Sequence, residues 1–289
     1  MAGRVPALNA VVAPRSVHGV TLDRVTLSAP AVFAVATLFV SRLAINARTP
    51  VPFDLVAVQD LLVPVTALAC AGSLIAIAVL DAGGYETVGL AFVGVFGVTG
   101  TIARPASVPA VVALVAGSGV AAGARLYAER TFPIGPAVVT GVLLGGLTAS
   151  LGSSLGIAAA TTRSLGTQLT LLGVAGTPIF LVRGRTDYLA GAVAAGLLVA
   201  LGIVAPFLLG ATGLVAGGIV GASLPLMALS VGGLTVTASA ALRTRQHAAT
   251  LGAGLLLFAG VPATLPRAVA VVLALVLLVE TATGGARDA

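Results

Sequence analysis

Ser153 and Ser154 are the residues most suggestive of chemistry, because the run Gly152-Ser-Ser-Leu-Gly156 flanks a hydroxyl nucleophile with glycines. A serine attacks only when a base takes its proton, and no His or Lys falls at a comparable depth in the apolar segments. The chain has no lysine: all 15 basic residues are Arg, which excludes a GxxxxGK[ST] phosphate loop. The two histidines, His18 and His247, lack a second His or a Cys at metal-ligand spacing, and HExxH is absent. No acidic cluster is visible that would hold the divalent metal of phosphoryl or prenyl transfer.

The remaining polar residues read as boundary markers. Asp60 and Asp81 bracket one apolar run, and Glu280 lies about 20 Å along a helix from Arg267, near the opposite interface. Thr161, Thr162, Ser164, Thr167, Gln168, Thr170 and Thr177 form a modest polar group that would line a cavity for a neutral solute or, more commonly, bond local carbonyls and neighbouring helices. Cys70, the single cysteine, has no disulfide partner in the chain and reads as a small buried hydrophobe. The expectation is therefore no catalytic residue, no cofactor and no metal, and a protein that is not an enzyme.

The elements behind these residues follow from the spacing of charge. Arg24 and Arg42, Asp60 and Asp81, Glu86 and Arg104, Arg104 and Arg125, and Arg163 and Arg183 stand 18 to 21 positions apart. As helix that is about 27–32 Å, close to the ~30 Å hydrocarbon core of a bilayer. Composition agrees: 58% of the 289 residues are apolar and only 8% charged, too few charges for the water-facing shell of a soluble fold. The Arg-only, Ala-, Val- and Gly-rich usage is that of a high-GC genome. Dispersed at segment ends, the arginines and the net charge of +6 fit phospholipid headgroups and not nucleic acid.

The fold class is accordingly all-α: a polytopic transmembrane bundle of about ten spans, with eight to ten admissible. The spans are placed near 26–41, 61–80, 87–103, 107–124, 134–158, 165–182, 189–209, 214–240, 248–264 and 266–283. A polar tail, 1–25, precedes the membrane domain 26–283, a short tail follows at 284–289, and no soluble domain is expected. The tail shows no cleavable signal, so the first span would act as its own anchor. Residues 188–242 contain no Asp, Glu, Arg or His and would reach about 80 Å as one helix, so the chain must turn back; Gly210-Ala-Thr-Gly213 is the expected break. Tight turns are also expected at Arg104-Pro105, Arg163 and Pro266-Arg267.

Two stripes of small residues are expected to pack helices. One runs through Gly141, Gly145, Thr148, Gly152 and Gly156, the other through Gly210, Gly213, Gly217 and Gly221. Either would serve packing within the bundle or contact with a partner or second copy. Pro64, Pro178, Pro206 and Pro225 fall inside expected spans and would kink them.

With ten spans, the side of the termini collects ten Arg, among them Arg125, Arg130, Arg183, Arg185, Arg243 and Arg245, and the other side five. By the positive-inside rule both termini are expected in the cytoplasm, with the protein in the cell membrane. The partners expected are the lipid bilayer and a membrane protein or second copy. The functional expectation is a non-catalytic structural or accessory subunit of a membrane assembly, with a permease or channel for a small neutral or hydrophobic solute as the alternative.

Overall fold

The computed structural model describes residues 16–17, 20–21, 23–47, 54–103, 107–127 and 133–284. Most of the two tails, His18, Arg48, Arg130 and the Arg104-Pro105 turn lie outside the described residues. Ahead of the helices, Ser16–Val17 and Val20–Thr21 pair as a two-residue antiparallel ladder. Eleven α-helices follow among the described residues: α1 Arg24–Asn46, α2 Leu55–Leu80, α3 Gly84–Ile102, α4 Ser107–Tyr127, α5 Ile134–Ser154, α6 Thr162–Ala175, α7 Arg185–Val204, α8 Pro206–Val215, α9 Leu224–Arg243, α10 His247–Ala259 and α11 Leu265–Gly284. Eight of them are long and apolar enough to cross a membrane; α8 and α10 are shorter apolar helices, and α6, of 14 residues, is followed by the 3-10 turn Thr177–Phe180. The expected bundle is thus present, with α8 as an additional broken piece.

Several charged side chains sit where helices start and stop, while Arg42 and Asp60 lie inside α1 and α2. Asp23 caps α1, accepting the N–H of Thr26 at 2.9 Å, and Asp54 caps α2, accepting from Val56 and Ala57. Helix α11 is apolar all round and is the hub: Ala268 to Leu275 and Leu277 to Val279 are all buried, packed by α1, α2, α3, α4, α5 and α10. A helix buried on every side has no polar face to offer, and this is the composition of its sequence.

Helix pairs close on small residues, but at other positions than the stripes suggest. Gly89 of α3 and Gly117 of α4 face each other so closely that a Cβ on Gly117 would stand 2.7 Å from the Gly89 carbonyl. Gly191 of α7 meets Gly232 of α9, and Gly146 of α5 meets Thr170 of α6. The α5 stripe is a correction. Gly141 has open space before it, while Gly145 and Gly152 make only ordinary contacts, at 3.7 Å to Leu169 and 3.5 Å to Ala158. Gly156 lies beyond the helix with φ 71°. The packed face carries Gly146 and Ser150, one residue and about 100° away, because a helix is oriented by its largest buried side chains, here Leu143 and Leu147.

The second stripe is also corrected. Gly210 and Gly213 lie inside α8, and the chain breaks instead at Ala205 and between residues 216 and 223. Gly217 and Gly221 belong to that second break, where Gly218 and Gly221 take left-handed conformations with φ 68° and 69°. Three of the four expected kinks change role for one reason: proline lacks the N–H donor and is best placed in a first turn, where that donor is unused. Pro206 starts α8, Pro225 lies in the first turn of α9, and Pro178 lies in the 3-10 turn after α6. Only Pro64 stays inside a helix, α2, as does Pro30 in α1.

Candidate functional site

One end of the bundle is closed by paired charge. Arg24, at the start of α1, is 3% exposed and ion-pairs with Asp81 at the end of α2, with Glu86 of α3 at 3.0 Å and with Glu280 of α11 at 3.6 Å. Arg125 of α4 reaches the second oxygen of Glu86 at 3.4 Å. Five helices are thereby held at the same end. A second clasp lies beside it: Asp187, buried at the start of α7, accepts from the backbone N–H of Gly184, from Ser239 Oγ at 2.8 Å and from Arg243 Nη2 at 2.8 Å. These groups compensate one another's charge, and a carboxylate bound to a guanidinium is a poor base.

The opposite end holds a different arrangement. Arg267, in the first turn of α11, is 7% exposed, and its Nη2 donates to the carbonyls of Val215 at 3.3 Å and of Ala216. It lines a cavity of about 450 Å³ together with Arg163, Ser153, Ser154, Thr264 and Gly218. The hydroxyls of Ser153 and Ser154 donate to the carbonyls of Ser150 and Leu151 in their own helix. No His or carboxylate lines that cavity among the described residues, and a permanently charged guanidinium takes no proton from a serine. His247 begins α10, at the clasped end. Among the described residues no group of three His, Cys, Asp or Glu is placed to hold a metal ion.

Beside Arg267 two helices break off. Helix α8 stops at Val215 and α10 at Ala259, and the loops after them join where the Val261 N–H donates to the Gly217 carbonyl at 2.8 Å. Gly260, at φ 63°, packs its backbone against Gly217 without room for a side chain. Beside this junction is a half-open cavity of about 190 Å³, lined by Phe39 of α1, Leu198 of α7, Leu209 of α8, Met227 of α9 and Leu257 of α10. Its three hydroxyls are already used: Thr170 donates to Gly166, Thr212 to Leu208, and Ser230 to Leu226 and Leu171. The hydroxyl protons are thus committed to backbone carbonyls, and the rest of the side-chain lining is apolar.

The model of an integral membrane family of unknown function, DUF8068, matches residues 24–279. The chain belongs to this family. No curated protein and no solved structure matches it. As a DUF8068 member the chain is a multi-pass integral membrane protein. The matched stretch begins with Arg24 and ends one residue short of Glu280, so it contains all but one of the ion-paired charges of the clasped end.

Sequence reading placed Arg24, Asp81, Glu86, Arg125 and Glu280 of this DUF8068 chain at helix ends and missed that they meet, whereas Asp60 and Arg42, read as boundaries, lie inside α2 and α1, because those helices run beyond their apolar stretches. Asp81 and Glu280, taken as boundary markers, both contact Arg24. The signal was present in the alternation of spans, which puts Arg24, Asp81, Glu86, Arg125 and Glu280 on one side. Of the polar group on α6, only Thr170 lines the apolar cavity, while Thr177 pairs with Thr237 of α9 at 2.8 Å. Arg267, read as part of a turn, is a buried side chain; no sequence pattern distinguishes the two.

Proposed function

We propose that this protein is a non-catalytic membrane component that holds the hydrocarbon chain of a membrane-borne ligand in the cavity beside the α8–α10 junction. One observation carries the reading: a half-open cavity of about 190 Å³ at two broken helices, whose hydroxyls are all bonded to backbone. Broken helices at membrane depth are tolerated where they border a cavity, and they are a recurrent basis of ligand sites in membrane proteins. A free solute apolar enough for this lining crosses a bilayer unaided. The occupant is therefore better sought in a molecule whose chain enters while its polar end stays outside.

A phosphatidylcholine with a photoactivatable diazirine at the end of one acyl chain, incorporated into nanodiscs with the full chain, tests this. Adducts concentrated on Leu198, Met227 and Leu257, and lost in Gly213→Phe, are expected. Adducts spread equally over outward residues such as Phe33, Val79 and Val112, and unchanged by Gly213→Phe, would refute it.

A second reading, accessory subunit of a larger assembly, is favoured by α7. This helix packs chiefly on α9 and turns Leu189, Val193 and Leu197 outward, and Phe207 just after it is 90% exposed. Stoichiometric co-purification of another membrane protein, lost on placing Arg at Val193, would support it. For orientation we propose cytoplasmic termini in the cell membrane, supported by the collection of Arg24, Arg125, Arg183, Arg185, Arg243 and Arg245 at the clasped end.

A further inference from the structure

The cavity at the far end from the clasps has the physical character of an anion site. It is bordered by Ala160 and Arg163 at the start of α6 and by Ala263, Thr264 and Arg267 at the start of α11, so two helix N-termini, with their positive partial charge, converge on it. No side chain caps α6: its N-cap residue, Thr161, makes no side-chain bond to the helix. Arg267 adds an independent observation. It is more than nine-tenths buried, lines the cavity, and keeps its Nε without a hydrogen-bond partner although Nη2 is bonded to Val215 and Ala216.

Charge balance points the same way. Arg42 flanks Arg267 in a smaller adjoining cavity, and among the described residues none of Arg42, Arg163 and Arg267 forms an ion pair. The contrast is with Arg24, the other buried arginine, which has carboxylate partners; the exposed Arg183, Arg185 and Arg245 of the clasped end form no ion pair among the described residues and need none in water. The carboxylates at the start of α2, Asp54 and Asp60, do not line the cavity. A buried cation with a spare donor, beside a second guanidinium at the rim, is satisfied by an acceptor bearing negative charge. The α5 C-terminus, contributing Ser153 and Ser154, opposes this with its carbonyl end, but it is one terminus against two and two full charges.

We propose that Arg267 and Arg163 form an oxyanion-binding site, which takes the phosphate of a lipid headgroup or a free phosphate. Arg267 is the fixed inner donor, and Arg163, exposed on the first turn of α6, closes on the anion from outside. The site stands whatever fills the apolar cavity, since the two share no lining residue.

The test uses the full chain in mild detergent, with native mass spectrometry and thermal unfolding. The probes are phosphatidylglycerol, phosphatidylcholine as a zwitterionic control, and inorganic phosphate. The wild type should retain phosphatidylglycerol over phosphatidylcholine, and Arg163→Gln should weaken that retention about tenfold, as expected for one lost charge-assisted contact. Arg267→Gln should abolish it. Because losing Arg267 also strips the Val215 and Ala216 carbonyls of their donor, Arg163→Gln, at an exposed position, decides. Stabilisation and displacement of lipid by inorganic phosphate would identify a free-anion site, and retention of phosphatidylglycerol indifferent to phosphate a headgroup site. Equal retention of both lipids by the wild type without phosphate stabilisation, or phosphatidylglycerol retention unchanged in Arg163→Gln, overturns the proposal.

Discussion

The guanidinium of Arg267 occupies the space that a side chain on Gly218 would need, and Gly218 holds a left-handed backbone with φ 68°. The two residues are therefore mutually required: the turn after α8 is shaped around the Arg267 side chain, which in turn satisfies the carbonyls of Val215 and Ala216. Gly218→Ala meets both obstacles, the backbone penalty of about 1–2 kcal/mol and displacement of the guanidinium. Thermal unfolding in detergent should show a clear loss of stability. Gly119→Ala, in α4 with open space before it, should be neutral or stabilising.

Glycines that look alike in sequence should differ in the same assay. Gly117→Val drives a side chain into the Gly89 carbonyl and Val93, and overpacking of this kind costs about 1–3 kcal/mol. Gly141→Val, on the open face of α5, should change stability little. Equal effects at the two positions would mean that α5 packs through its sequence-read stripe.

Removing the central cation of the clasped end should be severe. Arg24→Gln leaves Asp81, Glu86 and Glu280 without the guanidinium they share, and breaking a buried pair on one side costs on the order of 3–5 kcal/mol. Adding Glu86→Gln to this variant should recover part of the loss, measured as non-additivity in a double-mutant cycle.

The cap of α1 should give a small acid-dependent contribution. The Thr26 N–H, with help from its hydroxyl, holds the Asp23 carboxyl below its ordinary value of 3.8, against a smaller opposing effect of desolvation. A depressed pKa means that the folded state favours the carboxylate. The stabilisation is therefore present above that ordinary value and disappears as pH falls through the lowered one. Asp23→Ala should cost about 1 kcal/mol at pH 7, and the gap from wild type should narrow in acid, when unfolding is followed across pH.

Length, apolar content and the spacing of charge by themselves determined that this chain crosses a membrane many times as helices, because a bilayer fixes how long an apolar helix must be and where charge can stand. They also placed Asp81, Glu86, Arg125 and Glu280 at helix ends. Which of those ends meet was decided only by tertiary packing, since lipid exerts no hydrophobic force between helices and contacts are chosen by shape. Gly145 and Gly146 show the limit: both are glycines of α5, yet only Gly146 is pressed against α6, because the orientation of the helix depends on what Leu143 and Leu147 bury. Likewise Arg267 reads in sequence as a loop charge. It becomes a buried donor beside Arg163 only because α8 stops at Val215 and the start of α11 is packed beneath it. Membrane residence is a property summed over residues and survives in composition, whereas a site is a meeting of segments far apart in the chain and exists only once they are folded together.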